Sequence, residues 1–241
     1  MSNKMEKGQT VIVIGASGGI GRVLSRELLS AGANVTLSAR TESKLLALQE
    51  NLGSENTLVV AADATNPENM TQIFAKTKEK FGDVDGIVIS AGTWKQLSKD
   101  SPTDDAVVLA ENHFRSIFLP SFVIGFVAQK FFRDQGHGLI VNISSHAALR
   151  PELEGNLTYG PMKAASHQFT LALKNELKGT GVRAVDIAPA IVNTDEAVGM
   201  LDTEDKRARA IQPEAIAQWI IDEFNNPNIV STKLFKSDIT I

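Results

Sequence analysis

The stretch from residue 11 to residue 21 has the sequence Val11-Ile12-Val13-Ile14-Gly15-Ala16-Ser17-Gly18-Gly19-Ile20-Gly21. Its first four residues are apolar and β-branched, which predicts a buried strand. Apolar residues then recur at helical spacing, at positions 20, 23, 24 and 28, which predicts a helix. A strand, a glycine turn and a helix aim backbone N–H groups and the positive end of a helix dipole at a phosphate. The stretch therefore predicts a phosphate-binding loop, against the alternative of a glycine-rich turn without a ligand.

The spacing of the glycines narrows the kind of loop. The pattern G-x-G-x-x-G does not fit residues 15–20, because a serine and an isoleucine stand where it needs glycine. No Gly-Lys-Ser/Thr follows, which excludes a P-loop. Gly15, Gly19 and Gly21 form G-x-x-x-G-x-G, while Gly18 also completes G-x-x-G-x-x-G. Glycine spacing alone leaves the subtype of loop open.

Composition limits the class of protein. The chain has 241 residues, 43% of them hydrophobic, which suits one α/β domain or two small ones. Its net charge is −4 and both signs are mixed along the chain, so we expect neither a nucleic-acid surface nor a membrane-binding patch. The N-terminus has no signal-peptide core, and no apolar run approaches membrane-spanning length. We expect a cytoplasmic protein.

Several chemistries lack the residues they need. Cysteine is absent, so no thiolate nucleophile, disulfide or cysteine-bound metal is available. No serine near the strand ends lies in a G-x-S-x-G turn, which argues against a serine hydrolase. The histidines show no metal-ligand spacing, so we expect no metal site and interpret them as surface or supporting groups: His113, His137, His146 and His167.

Strands and helices alternate along the chain. Apolar runs predict strands at 11–14, 33–38, 57–61, 84–90, 138–145 and 182–187, with a last strand from Lys233 through Ile241. Helical spacing predicts helices at 21–29, 41–51, 67–81, 104–111, 159–177 and 213–224, and an apolar segment to Phe132 that Pro120 kinks. Near-continuous apolar strands indicate a parallel sheet covered on both faces. We predict one α/β domain, residues 1–241, with a cofactor half at about 8–112 and a catalytic half at about 113–241.

The end of the second strand bears on the choice of cofactor. In dinucleotide-binding folds an acid at this place binds the ribose 2′-hydroxyl of NAD, whereas an arginine accommodates the 2′-phosphate of NADP. Here the sequence is Ser38-Ala39-Arg40-Thr41, with no acid. An arginine pairs a phosphate through its planar fork. We favour NADP(H), against the alternative of a solvated arginine that caps a turn. Asp63, after the third strand, either contacts adenine or caps a turn.

A second group of residues can supply proton chemistry. Tyr159, the single tyrosine, and Lys163 lie four residues apart, so they share one face of the predicted helix. A neighbouring ammonium lowers the pKa of a phenol and lets it exchange a proton with a carbonyl or alcohol oxygen. Ser145, at the carboxyl end of the fifth strand, could hydrogen-bond the same oxygen, and Asn112 could hold a water that connects Lys163 to solvent. Taken alone, such a tyrosine–lysine pair is usually a surface coincidence.

Together these residues resemble the short-chain dehydrogenases/reductases over essentially the whole chain. Asn112, Ser145, Tyr159 and Lys163 match the family's Asn-Ser-Tyr-Lys catalytic tetrad. Of the two adjacent serines at the strand end, Ser145 fits better by its distance from the tyrosine. Residues 14–21 are similar to the TGxxxGxG cofactor loop, with isoleucine in place of the threonine.

The resemblance also implies cofactor contacts. Ser90-Ala91-Gly92 looks like the end of the NNAG motif, and residues 189–194 resemble the PGxVxT segment with Ala190 in place of glycine. Asp63 matches the aspartate that contacts adenine, and Arg40 falls where NADP-preferring members carry a basic residue. The implied cofactor-binding residues are Gly15, Ser17, Gly18, Gly19, Ile20, Gly21, Arg40, Asp63, Ala64, Ser90, Ala91, Gly92, Tyr159, Lys163, Pro189, Val192 and Thr194.

The resemblance implies a doubly wound, Rossmann-type sheet of seven mostly parallel strands. It implies hydride transfer between a nicotinamide cofactor and a small carbonyl or secondary-alcohol substrate. The implied cofactor is NADP(H), with NAD(H) as the alternative. The resemblance also implies a homodimer or homotetramer formed through the helices around 114–132 and 159–177. The alternative is a cofactor-binding regulatory or scaffold protein of the same fold, against which the intact tetrad argues.

Substrate identity does not follow from these motifs. We expect it to depend on Trp94 and its loop, on residues 146–158 and on the polar segment 195–210. That last segment is predicted to be a mobile lid that orders when cofactor and substrate bind.

Overall fold

In a computed structural model of the chain, seven strands form one parallel sheet. The structure describes residues 5–6, 8–151, 156–197, 199–226 and 232–235. The strands are β1 (Thr10–Ile14), β2 (Asn34–Ala39), β3 (Thr57–Ala61), β4 (Gly86–Ile89), β5 (Gly138–Ile143), β6 (Val182–Pro189) and β7 (Thr232–Phe235). Their order is β3-β2-β1-β4-β5-β6-β7, and each neighbouring pair is parallel. The predicted doubly wound α/β fold is confirmed.

Helices cover both faces of the sheet. They are α1 (Gly19–Ser30), α2 (Glu42–Leu52), α3 (Pro67–Phe81), α4 (Thr103–His113), α5 (Leu119–Gln135), α6 (Tyr159–Glu176), α7 (Glu204–Arg209) and α8 (Pro213–Asn225). One apolar cluster joins the sheet to α1, α2 and α8, and a second joins it to α3, α5 and α6. Two separate cores on opposite faces are what the unbroken apolar strands predict.

Strand β1 shows why the strands are apolar throughout. All five of its residues are buried. Val11 and Val13 belong to the cluster on one face, while Ile12 and Ile14 belong to the cluster on the other. Because successive side chains point to opposite faces of a sheet, a strand with helices on both sides needs apolar residues at every position.

The topology opens a crevice beside β1. The first three strands run outward from β1 to β3, and β4 then pairs with the other side of β1. The connections that leave β1 and β4 therefore separate toward opposite sides of the sheet. In open α/β sheets this switch point, at the carboxyl ends of the strands, is where ligands bind.

The segment around Pro120 differs in detail from the expected kink. Residues Phe114–Phe118 form a π-helical turn that joins α4 directly to α5, and Pro120 lies in the first turn of α5. Proline has no N–H to donate to the carbonyl four residues earlier, so the backbone there takes a wider turn. Nearby, the Ser121 hydroxyl donates to the Ile117 carbonyl oxygen at 2.9 Å.

The segment predicted to be a mobile lid contains ordered structure. Asp195–Ala197 forms a short 3₁₀ turn, and α7 follows within the same segment. Leu201 is buried and packs in a small apolar cluster with Ala197 and Ala210. A bridge between Val192 and Ile211 closes the segment at its base. Of the predicted last strand, β7 confirms 233–235, and 236–241 lie outside the described residues.

Two kinds of feature are absent from the described residues. Within those ranges, no helix has both the length and the apolar content needed to cross a bilayer. Among the same residues, no three histidine, aspartate or glutamate side chains gather in a way that could hold a metal ion.

Candidate active site

The glycine loop lies in the crevice at the carboxyl end of β1. Gly15 has φ +83°, and a Cβ there would stand 2.7 Å from the Ser90 carbonyl oxygen at the end of β4. A Cβ on Gly21 would collide with the Gly15 carbonyl. The backbone of β4 and the first turn of α1 therefore pack against the loop at distances that only glycine permits.

The N-terminus of α1 already holds an anionic group. The Gly19 N–H donates to a carboxylate oxygen of Glu196 at 2.9 Å, across 177 residues of sequence. Next to this contact, Arg22 pairs with Asp195 at 2.6 Å. Gly18, the N-cap of α1, supplies no side-chain cap. Unpaired N–H groups and the helix dipole favour negative charge at this end, and a carboxylate of the chain occupies it. The loop therefore fits the pyrophosphate of a dinucleotide.

The predicted adenosine-side residues are exposed on the rim of the crevice. Arg40 follows β2 and is exposed. Its charge acts on Asp63, which follows β3. Asp63 caps a turn, because one of its oxygens accepts from the N–H of Thr65 at 2.9 Å and from its hydroxyl at 2.8 Å. Those hydrogen bonds are the main reason that the pKa of Asp63 lies below its usual value. Ala64 lies in the same turn and is partly buried.

Three members of the predicted tetrad meet in the crevice. The side chains of Ser145 and Tyr159 are hydrogen-bonded to each other. The Lys163 ammonium lies 5.9 Å from the centre of the Tyr159 ring and donates to the Ile143 carbonyl at 2.9 Å. Gly92 is adjacent, since a Cβ there would lie 3.5 Å from the Lys163 nitrogen. The ends of β4 and β5 and the first turns of α6 thus hold one cluster.

The surroundings shift the protonation of this cluster. Burial raises the pKa of Tyr159 to about 12, and the hydrogen bond from Ser145 opposes the shift. Burial also lowers the pKa of Lys163 to about 8, and the charge of Asp186 opposes it. Near neutral pH the phenol is therefore protonated and the lysine is mostly charged. This is the state of a group that can donate a proton to a substrate oxygen.

Asn112 does not join the cluster. Its side chain is exposed near the end of α4, and within the described ranges it makes no side-chain hydrogen bond. The neighbouring His113 is buried instead, with its Nδ1 3.0 Å from the Thr158 hydroxyl and its ring 5.7 Å from that of Tyr159, centre to centre. Burial lowers the pKa of His113. From the sequence this histidine is expected to be a surface or supporting group, although a polar residue on the inward side of an amphipathic helix signals a buried contact.

The two serines at the end of β5 have different environments. Ser145 faces Tyr159, and its oxygen also accepts from the Ala147 N–H at 3.2 Å. Ser144 is buried, and its hydroxyl donates to the Asp186 carboxylate at 2.6 Å. Asp186 also pairs with His167 at 2.7 Å. This pair is not predicted from the sequence. The available signal is an aspartate inside the apolar run of β6, because a buried carboxylate needs hydrogen-bond partners.

The remaining predicted cofactor residues surround the glycine loop. Pro189 ends β6 and is buried, as is Val192. Thr194 packs so closely on Gly19 that a Cβ there would overlap its side chain. Three residues follow β4 at the same edge: Ser90, Ala91 and Gly92. Ser17 and Ile20 are partly buried within the loop itself.

Comparisons with known proteins identify the family of the chain. The family model for short chain dehydrogenases matches residues 9–205. An uncharacterized oxidoreductase of Staphylococcus saprophyticus is 31% identical over 92% of this chain and 94% of its own. The NADP-dependent 3-hydroxy acid dehydrogenase YdfG of Salmonella typhi is 33% identical over 77% of this chain and 73% of its own.

A solved structure extends the agreement to the whole fold. A short-chain dehydrogenase/reductase of Brucella melitensis, described as a glucose/ribitol dehydrogenase, is 25% identical, with a TM-score of 0.83 and 97% of both chains covered. The sequence match, the strand order and the switch-point crevice lead to one conclusion: the chain belongs to the short-chain dehydrogenase/reductase family of oxidoreductases.

Proposed function

We propose that this protein interconverts a carbonyl compound and a secondary alcohol with NADP(H). The observation that carries the proposal is the cluster of Ser145, Tyr159 and Lys163 beside the glycine loop. The bound nicotinamide supplies or accepts the hydride, which leaves proton transfer and orientation to the protein.

Each side chain of the cluster has a distinct task in this proposal. Tyr159 donates its proton to the carbonyl oxygen as reduction proceeds, and takes it back in oxidation. Ser145, already hydrogen-bonded to Tyr159, orients the same oxygen. The Lys163 ammonium stabilises the phenolate that remains. Asn112 lies outside this cluster, and we assign it no step in the reaction. Its exposed side chain leads us to expect a smaller loss of rate from Asn112→Ala than from changes at Tyr159 or Lys163.

Reductase activity is tested directly by following the absorbance of NADPH with a panel of carbonyl compounds. The panel begins with 3-oxo acids, because a relative that is 33% identical acts on 3-hydroxy acids. It also includes ketones with apolar groups, since Trp94, Leu149 and Leu157 are exposed on the loops expected to contact substrate. Turnover of at least one compound supports the proposal. NADPH binding without turnover across the panel, in both directions, would favour a non-catalytic cofactor-binding protein.

The preference for NADP(H) is proposed from Arg40 and from the absence of an acid at the end of β2. Arg40→Ala should weaken NADPH binding about tenfold, because it removes charge-assisted hydrogen bonds to the 2′-phosphate, and should leave NADH binding unchanged. Arg133→Ala, at an exposed arginine in the last turn of α5, is the control. Equal losses for the two cofactors would show that Arg40 does not bind the 2′-phosphate.

Self-association is also part of the proposal. Phe114, Phe122 and Phe126 are 41%, 41% and 57% exposed along the helical segment that ends with α5. Rings on this face pack against one another and against Phe169 of α6. An exposed aromatic face of this kind usually marks an interface, and we propose that the same face of a second copy covers it about a twofold axis.

A further inference from the structure

A buried polar cluster lies beneath the candidate active site. Asp186 of β6 is fully buried, and its carboxylate accepts three hydrogen bonds. The donors are the Asn142 amide at 2.8 Å, the Ser144 hydroxyl at 2.6 Å and His167 Nδ1 at 2.7 Å. We call these four residues the Asp186 cluster.

The Asp186 carboxylate lies in a strand that is otherwise mostly apolar. Seven of the eight strand residues are buried, and apolar residues flank Asp186 on both sides. An isolated charge in such a place would be strongly destabilising, whereas an apolar side chain would fill it without that cost. A carboxylate with three donors is therefore a specific arrangement, and its neighbours indicate what it acts on.

Two connections lead from the Asp186 cluster to the reacting groups. Ser144 directly precedes Ser145, so the hydrogen bond to Asp186 fixes the strand end that carries Ser145. His167 lies four residues after Lys163, and therefore on the same face of α6. The Lys163 ammonium donates to the carbonyl of Ile143, the residue before Ser144, and the charge of Asp186 acts on that ammonium.

We propose that Asp186, with His167 as its hydrogen-bond partner, is a positioning residue that keeps Lys163 protonated beside Tyr159. The proposal rests on the proposed function for its effect on catalysis. In reduction, hydride reaches the carbonyl carbon and the Tyr159 O–H bond breaks as a new O–H bond forms on the substrate. A phenolate remains, and a charged Lys163 is what stabilises it.

Other ionisable groups among the described residues lie near this face of α6. Tyr159 is close to Lys163, and the ring of His113 in α4 packs on the Tyr159 ring. His146 is in the short 3₁₀ helix after β5, which packs on α6, and Arg115 is in the π-helical turn. Lys233 of β7 pairs in register with Ile187. The charge of Asp186, in contrast, raises the pKa of Lys163 and so opposes the effect of burial.

The direct test is the protonation of Lys163 in the cofactor-free protein, followed by NMR with carbon-13-labelled lysine. Its signal is the one missing from Lys163→Met, and it should titrate near pH 8, where ordinary lysines do not. In Asp186→Asn, which keeps the side-chain volume, the midpoint should move about one pH unit lower. This readout needs no substrate, so it distinguishes failure of this proposal from failure of the proposed function.

Asp85→Asn is the matched control. Asp85 is a partly buried aspartate far from Lys163 in the sheet, and its carboxylate accepts from the Thr10 N–H at 2.7 Å near the amino ends of β1 and β4. Its replacement should leave the Lys163 midpoint unchanged. An unchanged midpoint in an Asp186→Asn protein that still binds NADPH would overturn the proposal, and so would an equal shift in the control.

A second variant covers the case in which Asp186→Asn fails to fold. His167→Asn keeps a donor near Asp186 but cannot be protonated, and the residue lies at the edge of the cluster with 12% of its side chain exposed. Because His167 carries no negative charge that would favour a charged Lys163, the Lys163 midpoint should not fall below the wild-type value. In the wild type, His167 itself should titrate above pH 6.5. A lower Lys163 midpoint in His167→Asn, or titration of His167 at or below 6.5, contradicts the proposal.

The consequence for catalysis is a shifted pH profile. Reduction should fall as pH rises through the pKa of Lys163, and Asp186→Asn should move this alkaline limb to lower pH. A residue with a purely structural role would lower the rate at every pH without moving the limb, and that result would also overturn the proposal.

Discussion

Burial acts in opposite directions on the two ionisable groups at the centre of the site. It raises the pKa of Tyr159 to about 12 and lowers that of Lys163 to about 8, so both shifts favour the neutral forms. Burial thus favours an intact phenol at Tyr159. Oxidation of an alcohol needs a phenolate, and a positive charge close to Tyr159 would favour it, as would the oxidised nicotinamide ring.

The histidine of the Asp186 cluster predicts a pH-dependent stability. The hydrogen bond to Asp186 raises the pKa of His167 above 6.5. Protonated His167 therefore stabilises the folded state fully below about pH 6.5, and this contribution is lost as pH rises through the raised pKa. Urea unfolding of the wild type and of His167→Asn should show a larger difference in stability at pH 5.5 than at pH 9. A difference that does not change with pH would contradict the ion pair.

At the scale of elements, the turn after β6 and the first turn of α1 are locked together. The Gly19 N–H binds Glu196, and Arg22 binds Asp195. A dinucleotide whose pyrophosphate approaches the N-terminus of α1 meets a carboxylate already there. We therefore expect this turn to shift as the cofactor binds, and its contact with Gly19 to be the first that a lid over residues 195–210 would break.

Removing the negative charge of Glu196 should strengthen cofactor binding. Glu196→Gln should tighten NADPH binding about fivefold, because it removes a negative charge that competes for the helix N-terminus. Glu204→Gln, at an exposed glutamate in the first turn of α7, is the control for loss of one charge in the same segment. Weaker NADPH binding by Glu196→Gln would mean that Glu196 supports the cofactor rather than competing with it.

Local patterns predicted the elements well. The run of apolar residues before Gly15 predicted β1. Pro67 at the start and Gly82 just beyond the end predicted both ends of α3 to the residue. The four-residue spacing of Tyr159 and Lys163 placed them on one helix face because both lie in one element. These predictions use only neighbours in sequence.

Contacts between distant segments could not be predicted in the same way. Glu196 and Gly19 are 177 residues apart, and no local pattern sets their distance. The contact between His167 and Asp186 depends on how α6 crosses β6. The exposure of Asn112 and the burial of His113 depend on the helical phase just before the π-helical turn, and a family motif does not fix that phase.

At the scale of the whole molecule, the sheet divides the protein into two apolar layers, and one of them reaches solvent. The layer that contains α3, α5 and α6 continues outward into the phenylalanines of α5, whereas α2 on the other face carries a single large exposed apolar residue, Leu46. This asymmetry points to α5 and α6 as the surface for self-association.

Charge on the phenylalanine face should therefore disrupt the assembly. Phe126→Asp should lower the mass measured by light scattering toward that of a single chain. At a twofold interface the two introduced carboxylates would be buried close to each other and would repel. Leu46→Asp, at a residue 51% exposed on the opposite layer, is the matched control and should not change the mass. A wild type that is already monomeric at high concentration would contradict the proposed interface.

The proton donor is the centre of this account, and Tyr159→Phe tests it most directly. The variant loses only the hydroxyl and keeps the ring that packs on His113. With a carbonyl substrate identified from the panel, kcat for NADPH oxidation should fall about 10³-fold, the range for loss of a general acid, while NADPH binding stays unchanged. Turnover within tenfold of the wild type, with NADPH still bound, would show that Tyr159 does not supply the proton.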